Sequence, residues 1–165
     1  MNNEELRNEF EKITKEYKNK INELIDKNKE DENEFKAGDE YYIINSDGNI
    51  IISIWDDNEF DHYRSMFGNV FKTEKEAEDK LKELKIVTKV NKWIKKHDKV
   101  KLNWNDESQV KWYIYYNYYY NELTSSNTYV CKSEPFHFSS IDLVEQCINE
   151  FEDDLKWLFT HNDNK

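Results

Sequence analysis

"EYYIINSDGNIIISIW", residues 40 to 55, sets two β-branched and aromatic runs on either side of Ser-Asp-Gly. Such runs read as strands, and Gly48 can take the positive φ that a short reversing loop requires, so the stretch is predicted to be a β-hairpin. Alternation puts Ile50, Ile52 and Ile54 on one face of the second strand and Ile51, Ser53 and Trp55 on the other. "DDNEFDHYRSMFGNVF" (56–71) then reads as a loop ending in a third strand. Thr73 opens "TEKEAEDKL", a Thr-x-x-Glu capping box with Glu76 at the third helical position. That helix is predicted to run to about Lys96, turning Ala77, Leu81, Leu84 and Val87 toward the sheet. Its lysine-rich end suits the negative end of the helix dipole.

The same plan recurs downstream. "VFKTEKEAEDKLKEL" (70–84) aligns with "HFSSIDLVEQCINEF" (137–151) at a constant offset, pairing Phe71 with Phe138, Thr73 with Ser140, Ala77 with Val144, Leu81 with Ile148 and Leu84 with Phe151. Each match has a structural meaning: a last strand residue, a helix cap, then a buried face. Upstream, "YYIIN" resembles "YIYYN". The expected architecture is therefore α+β, an N-terminal amphipathic helix followed by two tandem antiparallel sheet-plus-helix repeats of βββα type. The expected divisions are 1–30 for the helix, 31–37 for a linker, 38–101 for the first repeat and 102–165 for the second. The tyrosine-rich "WYIYYNYYY" (112–120) falls in the second repeat, where Trp112 and Ile114 can lie under the second helix. The other face still shows Tyr113, Tyr115 and Tyr119, and something should cover it, because large apolar patches seldom stay bare.

Residues 3 to 27 read as a helix with Leu6, Phe10, Ile13, Tyr17 and Leu24 on a coiled-coil-like seam, interrupted by Lys20. A helix this polar is marginal alone, so its stripe must lie on the rest of the fold or on another copy, making homo-oligomerisation through these residues an expectation. The charged stretch "DKNKEDENE" (26–34) has no apolar anchor. No apolar run approaches the length of about 18 residues that a spanning helix needs, and the acidic start does not resemble a secretion signal. A soluble, cytoplasmic protein without membrane contact is expected. Cys131, on a predicted strand, and Cys147, on a predicted helix, lack metal-ligand spacing and are expected to be reduced and buried.

Charge is unevenly spread. The net charge is −11, yet residues 31–61 hold ten acidic side chains against one lysine, whereas 85–101 hold seven lysines against one aspartate. The chain has two electrical poles. The overall excess favours a basic partner, although a local basic stripe can override it within a screening length of about 8 Å.

"GDEYYIINSDGNI", the tryptophan that follows, and "DHYRSMFGNVFKTEKEAEDKL" together resemble a widespread set of small phage and prophage proteins of low-GC Gram-positive bacteria. Asp47, Gly48, Trp55, Asp61, Arg64, Gly68, Asn69, Phe71 and Thr73 carry the resemblance. It covers the first repeat and, loosely, the tyrosine-rich strand and terminal helix of the second. It implies a phage origin and an infected bacterial host cell, and it transfers no catalytic residue.

Catalysis has weak support in the sequence. Asp56, Asp57, Glu59, Asp61, His62 and Arg64 could hold a hard cation, but no further ligands occur at readable spacing, and a solvated loop in which Asp61 pairs with Arg64 accounts for them. No phosphate-cradling glycine loop occurs, and neither a cofactor nor a metal is expected. The leading expectation is an acidic binding protein that inhibits a host defence system, an anti-CRISPR or similar nuclease inhibitor, by occupying the basic surface of a nucleic-acid-binding component and imitating nucleic-acid charge. Its expected contacts are Asp39, Glu40, Trp55, Asp56, Asp57, Glu59, Asp61, Tyr115, Tyr119, Glu152, Asp153 and Asp154, with the aromatic side chains as anchors. The alternative is a phage accessory protein that binds single-stranded nucleic acid. There Tyr113 and Tyr118 would stack bases while Lys85, Lys89, Lys92, Lys95, Lys96, Lys99 and Lys101 contact phosphates. Against it, residues 106–165 hold four lysines and eleven acidic side chains, so the tyrosines have few cations in their own stretch.

Overall fold

A computed structural model of the chain describes residues 35–132 and 134–161, and within the N-terminal stretch only Lys15, Lys18 and Lys20, which are helical and exposed. The seam residues Leu6, Phe10, Ile13, Tyr17 and Leu24 lie outside the described residues. What is described is α+β, with three helices and two small antiparallel sheets. The chain divides into two compact units, Met1–Ala77 and Glu78–Lys165.

In the first unit the hairpin forms as its residues dictate. Strands β1 (Glu40–Ile44) and β2 (Ile50–Ile54) pair with Tyr42 opposite Ile52. Asn45 organises the turn, its Oδ1 accepting from the N–H groups of Asp47 at 3.0 Å and Asn49 at 2.9 Å, while Gly48 takes a φ of 75°. Beyond β1 the sheet is closed by a single residue pair. Tyr42 N–H donates to the Phe71 carbonyl at 2.9 Å and Phe71 N–H to the Tyr42 carbonyl at 3.0 Å. The Asn69 side chain then imitates one more strand residue, accepting from Ile44 N–H and donating to the Ile44 carbonyl, both at 2.9 Å. Tyr41, Ile43 and Trp55 form the core, with Phe35 and Val70 against it. Phe35 stacks on Trp55 at 5.7 Å between centroids, and Tyr41 meets the same indole edge-on at 5.8 Å. Each buried ring of this size contributes about 1.5–3 kcal/mol of transfer free energy.

The stretch expected to be a loop and a third strand is instead a helix, α1 (Glu59–Met66), followed by the isolated Phe71 pairing. Asn58 and Asp61 form a capping box at its start.

Helix α2 (Glu74–His97) begins at the expected cap, where Glu76 Oε2 accepts from Lys72 N–H at 2.9 Å and Thr73 Oγ1 accepts from Glu76 N–H at 3.2 Å. Its buried stripe differs from the expected one. Ala77 is buried, but Leu84 is exposed, and Ile86 and Val90 enter the hydrophobic core of the second unit, with Val87, Trp93 and Ile94 against it. The two compact units meet in sequence inside α2, between Ala77 and Glu78.

The second unit centres on β3 (Lys111–Asn117), flanked by β4 (Glu122–Thr128) and β5 (His137–Phe138), both antiparallel to it. Helix α3 (Ile141–Thr160), capped by Ser140, sends Val144, Cys147, Phe151 and Leu155 into the core at steps of three, four and four. It packs on β3 and β4, so Ile114 is buried and Trp112 lies against the core, as alternation implied. Tyr118, Tyr119 and Tyr120 are not strand residues; they form the exposed turn between β3 and β4. Cys131, expected to be buried on a strand, is exposed beyond the end of β4, whereas Cys147 is buried as expected. Among the described residues no helix is long and apolar enough to cross a membrane.

Candidate functional site

The position of α1 is set by a buried carboxylate. Asp61 is 1% exposed and Tyr41 is fully buried. The Tyr41 hydroxyl donates to Asp61 Oδ1 at 2.6 Å and accepts from Arg64 Nη1 at 2.7 Å, while Asp61 Oδ2 accepts from the N–H groups of Asp56 at 2.9 Å and Asn58 at 3.3 Å. Arg64 also reaches Ser53 Oγ at 3.3 Å. Burial by itself would raise the Asp61 pKa. The Tyr41 hydroxyl, the two backbone donors and the nearby guanidinium outweigh it and hold the carboxyl below its ordinary range. This network clamps α1 onto β1 and β2 through two side chains that the sequence had assigned to partner contact or to a solvated loop. Trp55, also 1% exposed, is core. Trp55 and Asp61 are therefore removed from the expected contact set: both are sealed from any partner.

The clamp leaves the neighbouring carboxylates outside. Asp39 and Glu40 open β1, and Trp55 N–H donates to the Asp39 carbonyl at 2.8 Å, so the residues that leave β2 lie beside them. Asp56, Asp57 and Glu59 follow at once. All five are exposed, gathered at the end of the hairpin opposite its turn. Asp57, held at a φ of 57°, pairs with His62 Nε2 at 3.1 Å.

The same unit also exposes large apolar side chains. Phe60 is 72% exposed and Phe67 78%, with Tyr63 and Met66 also exposed on α1, and Ile51, Ile52 and Ile54 exposed on β2. That is a large exposed apolar complement for a unit of this size, although Ile51 lies on the opposite face of β2 from Ile52 and Ile54. The stretch holding Phe60, Tyr63 and Phe67 was read as a loop and a third strand, so their common helical face came only with α1, and it points to solvent.

In the second unit all seven lysines of the expected phosphate-contact set are exposed. Lys85, Lys89, Lys92, Lys96 and Lys99 recur at steps of four, three, four and three, which places them on one face of α2, with Lys99 just past its end. Lys89 Nζ is bound to Asp154 at 3.0 Å, so these two residues neutralise each other across α2 and α3. Glu152 and Asp153 remain exposed on α3, with Glu152 bound to Lys156 at 2.6 Å. Tyr113 and Tyr115 are half-buried on the sheet face away from α3, 6.1 Å apart between centroids, whereas Tyr118 and Tyr119 stand out from the β3–β4 turn. Tyr118 is anchored there by its hydroxyl, which donates to the Phe159 carbonyl at 3.0 Å.

Two further features lay beyond sequence reasoning. Lys111 is fully buried, with Nζ donating to the carbonyls of Asp106 at 2.7 Å and Tyr129 at 2.6 Å, and lies 5.7 Å from the Trp104 ring. His97 and His161 each stack on the tryptophan four residues earlier, Trp93 at 4.2 Å and Trp157 at 4.1 Å, at the ends of α2 and α3. Among the described residues no group of three or more His, Cys, Asp or Glu side chains is arranged to hold a metal ion. No protein-family model, curated protein or solved structure matches the chain.

Proposed function

We propose that the chain is a phage-encoded binding protein that attaches through the acidic end of its first unit to a basic, nucleic-acid-binding component of a host defence system and blocks it. The observation that carries this reading is the exposure of Asp39, Glu40, Asp56, Asp57 and Glu59 at one end of the hairpin, where the chain runs directly into α1 with its exposed Phe60, Tyr63 and Phe67. Aromatic anchors rimmed by charge of one sign fit a protein surface of the opposite sign, with the rings supplying residence time and the carboxylates speeding encounter. Glu152 and Asp153 extend the acidic character to the second unit. The phage origin rests on the resemblance of residues 38–84, and the inhibitory role on the match between carboxylate clusters and the cationic surfaces that nucleases use.

We also read the chain as a duplicated unit. In each half a hairpin's first strand is bordered on its other side by a phenylalanine, Phe71 beside Tyr42 and Phe138 beside Trp112, and the chain then enters a capped helix. Each helix ends in Trp-x-x-x-His with the ring pair stacked.

The test is protection. Expressed in a host whose nuclease immunity restricts a phage, the chain should raise plating efficiency by orders of magnitude. The triple variant Asp56→Asn, Asp57→Asn, Glu59→Gln should lose most of that effect while remaining folded. Equal protection by the variant, or none by the native chain against any nuclease-based system of its host, refutes the reading.

A second reading has its own observation. The lysine face of α2 presents Lys85, Lys92, Lys96 and Lys99 as exposed cations on one side of the helix, with Lys89 held by Asp154. Retention of single-stranded DNA at about 50 mM salt that falls steeply by about 200 mM would favour it.

A further inference from the structure

The two borders of the first sheet are unlike. On the β1 side the outward backbone groups of Tyr42 and Ile44 are taken up by Phe71 and by the Asn69 side chain. On the β2 side no described strand follows. The ladder fixes which groups face out. Asn45 N–H donates to the Asn49 carbonyl and Trp55 N–H to the Asp39 carbonyl. In an antiparallel pair the bonded positions recur every second residue, so Ile51 and Ser53 also face β1. Ile50, Ile52 and Ile54 therefore direct both N–H and C=O away from the hairpin. The strand that carries them, Ile-Ile-Ile-Ser-Ile, holds no charge, proline or bulge, the devices by which natural edge strands avoid pairing. Ile52 is 58% exposed and Ile54 51%.

We propose that β2 is a self-pairing edge, and that two copies of the chain join β2 to β2 antiparallel about a two-fold axis through Ile52. The sequence suits a second copy better than an unlike strand. Centring the pair on Ile52 sets it against itself and Ile50 against Ile54 of the other copy, so every outward donor meets an outward acceptor and isoleucine lies beside isoleucine. A symmetric interface must be complementary to itself, and this one is in both hydrogen bonding and shape. Six backbone hydrogen bonds and a lateral isoleucine contact fall short of the standard interface of about 1,600 Å², so the dimer should be weak. The same register sets Asp47 of one copy near Asp57 of the other, so added salt should strengthen the dimer, the opposite of its effect on a basic partner.

The test uses the full chain. Sedimentation between about 5 and 200 μM should show mass rising from 20.2 kDa toward twice that value, more readily in high salt. The backbone amide of Ile52 should gain protection from hydrogen exchange over the same range. Ile52→Pro removes only an N–H that β1 does not use, and Ile52→Lys places a charge on the axis; each should leave the far-ultraviolet spectrum unchanged and the chain monomeric. Both variants keep all five acidic rim residues, so anti-defence activity is a separate readout and its loss or retention does not bear on the pairing. A chain monomeric at 200 μM, or an Ile52 amide whose exchange is independent of concentration, overturns the proposal. So does a dimer that survives both substitutions, which would assign association to residues 3–27, or an Ile52 amide protected in the monomer, which would give the edge to a segment of the same chain.

Discussion

Replacing Asp61 with Asn removes one negative charge and converts one acceptor oxygen into a donor, with almost no change of volume. The native carboxylate accepts from the Tyr41 hydroxyl on one oxygen and from two backbone N–H groups on the other. An amide cannot satisfy both sets. If its oxygen keeps the backbone donors, its nitrogen faces the Tyr41 hydroxyl, whose proton then has no acceptor while Arg64 loses its nearby counter-charge. The loss amounts to one charge-assisted hydrogen bond and a partly stranded buried hydroxyl, about 2–4 kcal/mol in all. Trp55 is the only one of the five tryptophans that lies within Met1–Ala77, so its indole resonance followed through a urea titration reports this unit separately. The variant's transition should move to lower urea at that resonance. The sign of the pH dependence follows from the lowered pKa. The Asp61 contribution is present in full above the unfolded value of about 3.9 and is lost as pH falls through the folded value, so native and variant should converge in acid. A shift below about 0.5 kcal/mol, or a gap that persists at low pH, would refute the clamp.

Cys147, whose thiol burial pushes up to about 12 with help from Glu150, should resist a thiol reagent at pH 8 while exposed Cys131 reacts; two fast thiols in the native chain would contradict this. Burial, and then the charge of Lys132, lower the His137 pKa, so its imidazole should titrate below the ordinary value of about 6.5 in an NMR series; its contribution to stability is present above that value and lost as pH falls through the folded one. Asp98 accepts from Ser139 N–H at 2.7 Å and from Ser139 Oγ at 2.8 Å, and Asp98→Ala should cost the second unit about 1–3 kcal/mol in urea unfolding, a smaller effect than at Asp61.

The hairpin and the two long helices were legible because local chemistry and tertiary role agree there: Gly48 supplies the turn, Thr73 and Ser140 the caps, and Val144, Cys147 and Leu155 a regular stripe. Helix α1 was not, because its polarity is inverted. Its apolar residues face out, and its buried residue is an aspartate that only tertiary partners can satisfy. Strand β4, "ELTSSNT", gives no apolar alternation to read, since its neighbour β3 supplies the aromatic surface. Lys111 was unreadable for a related reason: two carbonyls and an indole make its burial affordable, and none of the three can be inferred from the lysine. At the candidate site the exposed carboxylates were foreseen, whereas the exposed aromatic side chains of α1 and the open β2 border depend on tertiary placement that no local pattern encodes.

Asn69 and Phe71 together act as a stopper. A sheet that could recruit strands at both sides would polymerise, each added molecule exposing a fresh acceptor surface for the next. Here one side is plugged by an amide and a single backbone residue, so joining two molecules through the other side yields a four-stranded ribbon whose flanks are both plugged. Growth ends at two. Under the pairing proposed above, the exposed Ile-Ile-Ile-Ser-Ile border of this sheet would therefore lead to a finite particle and not to a fibre.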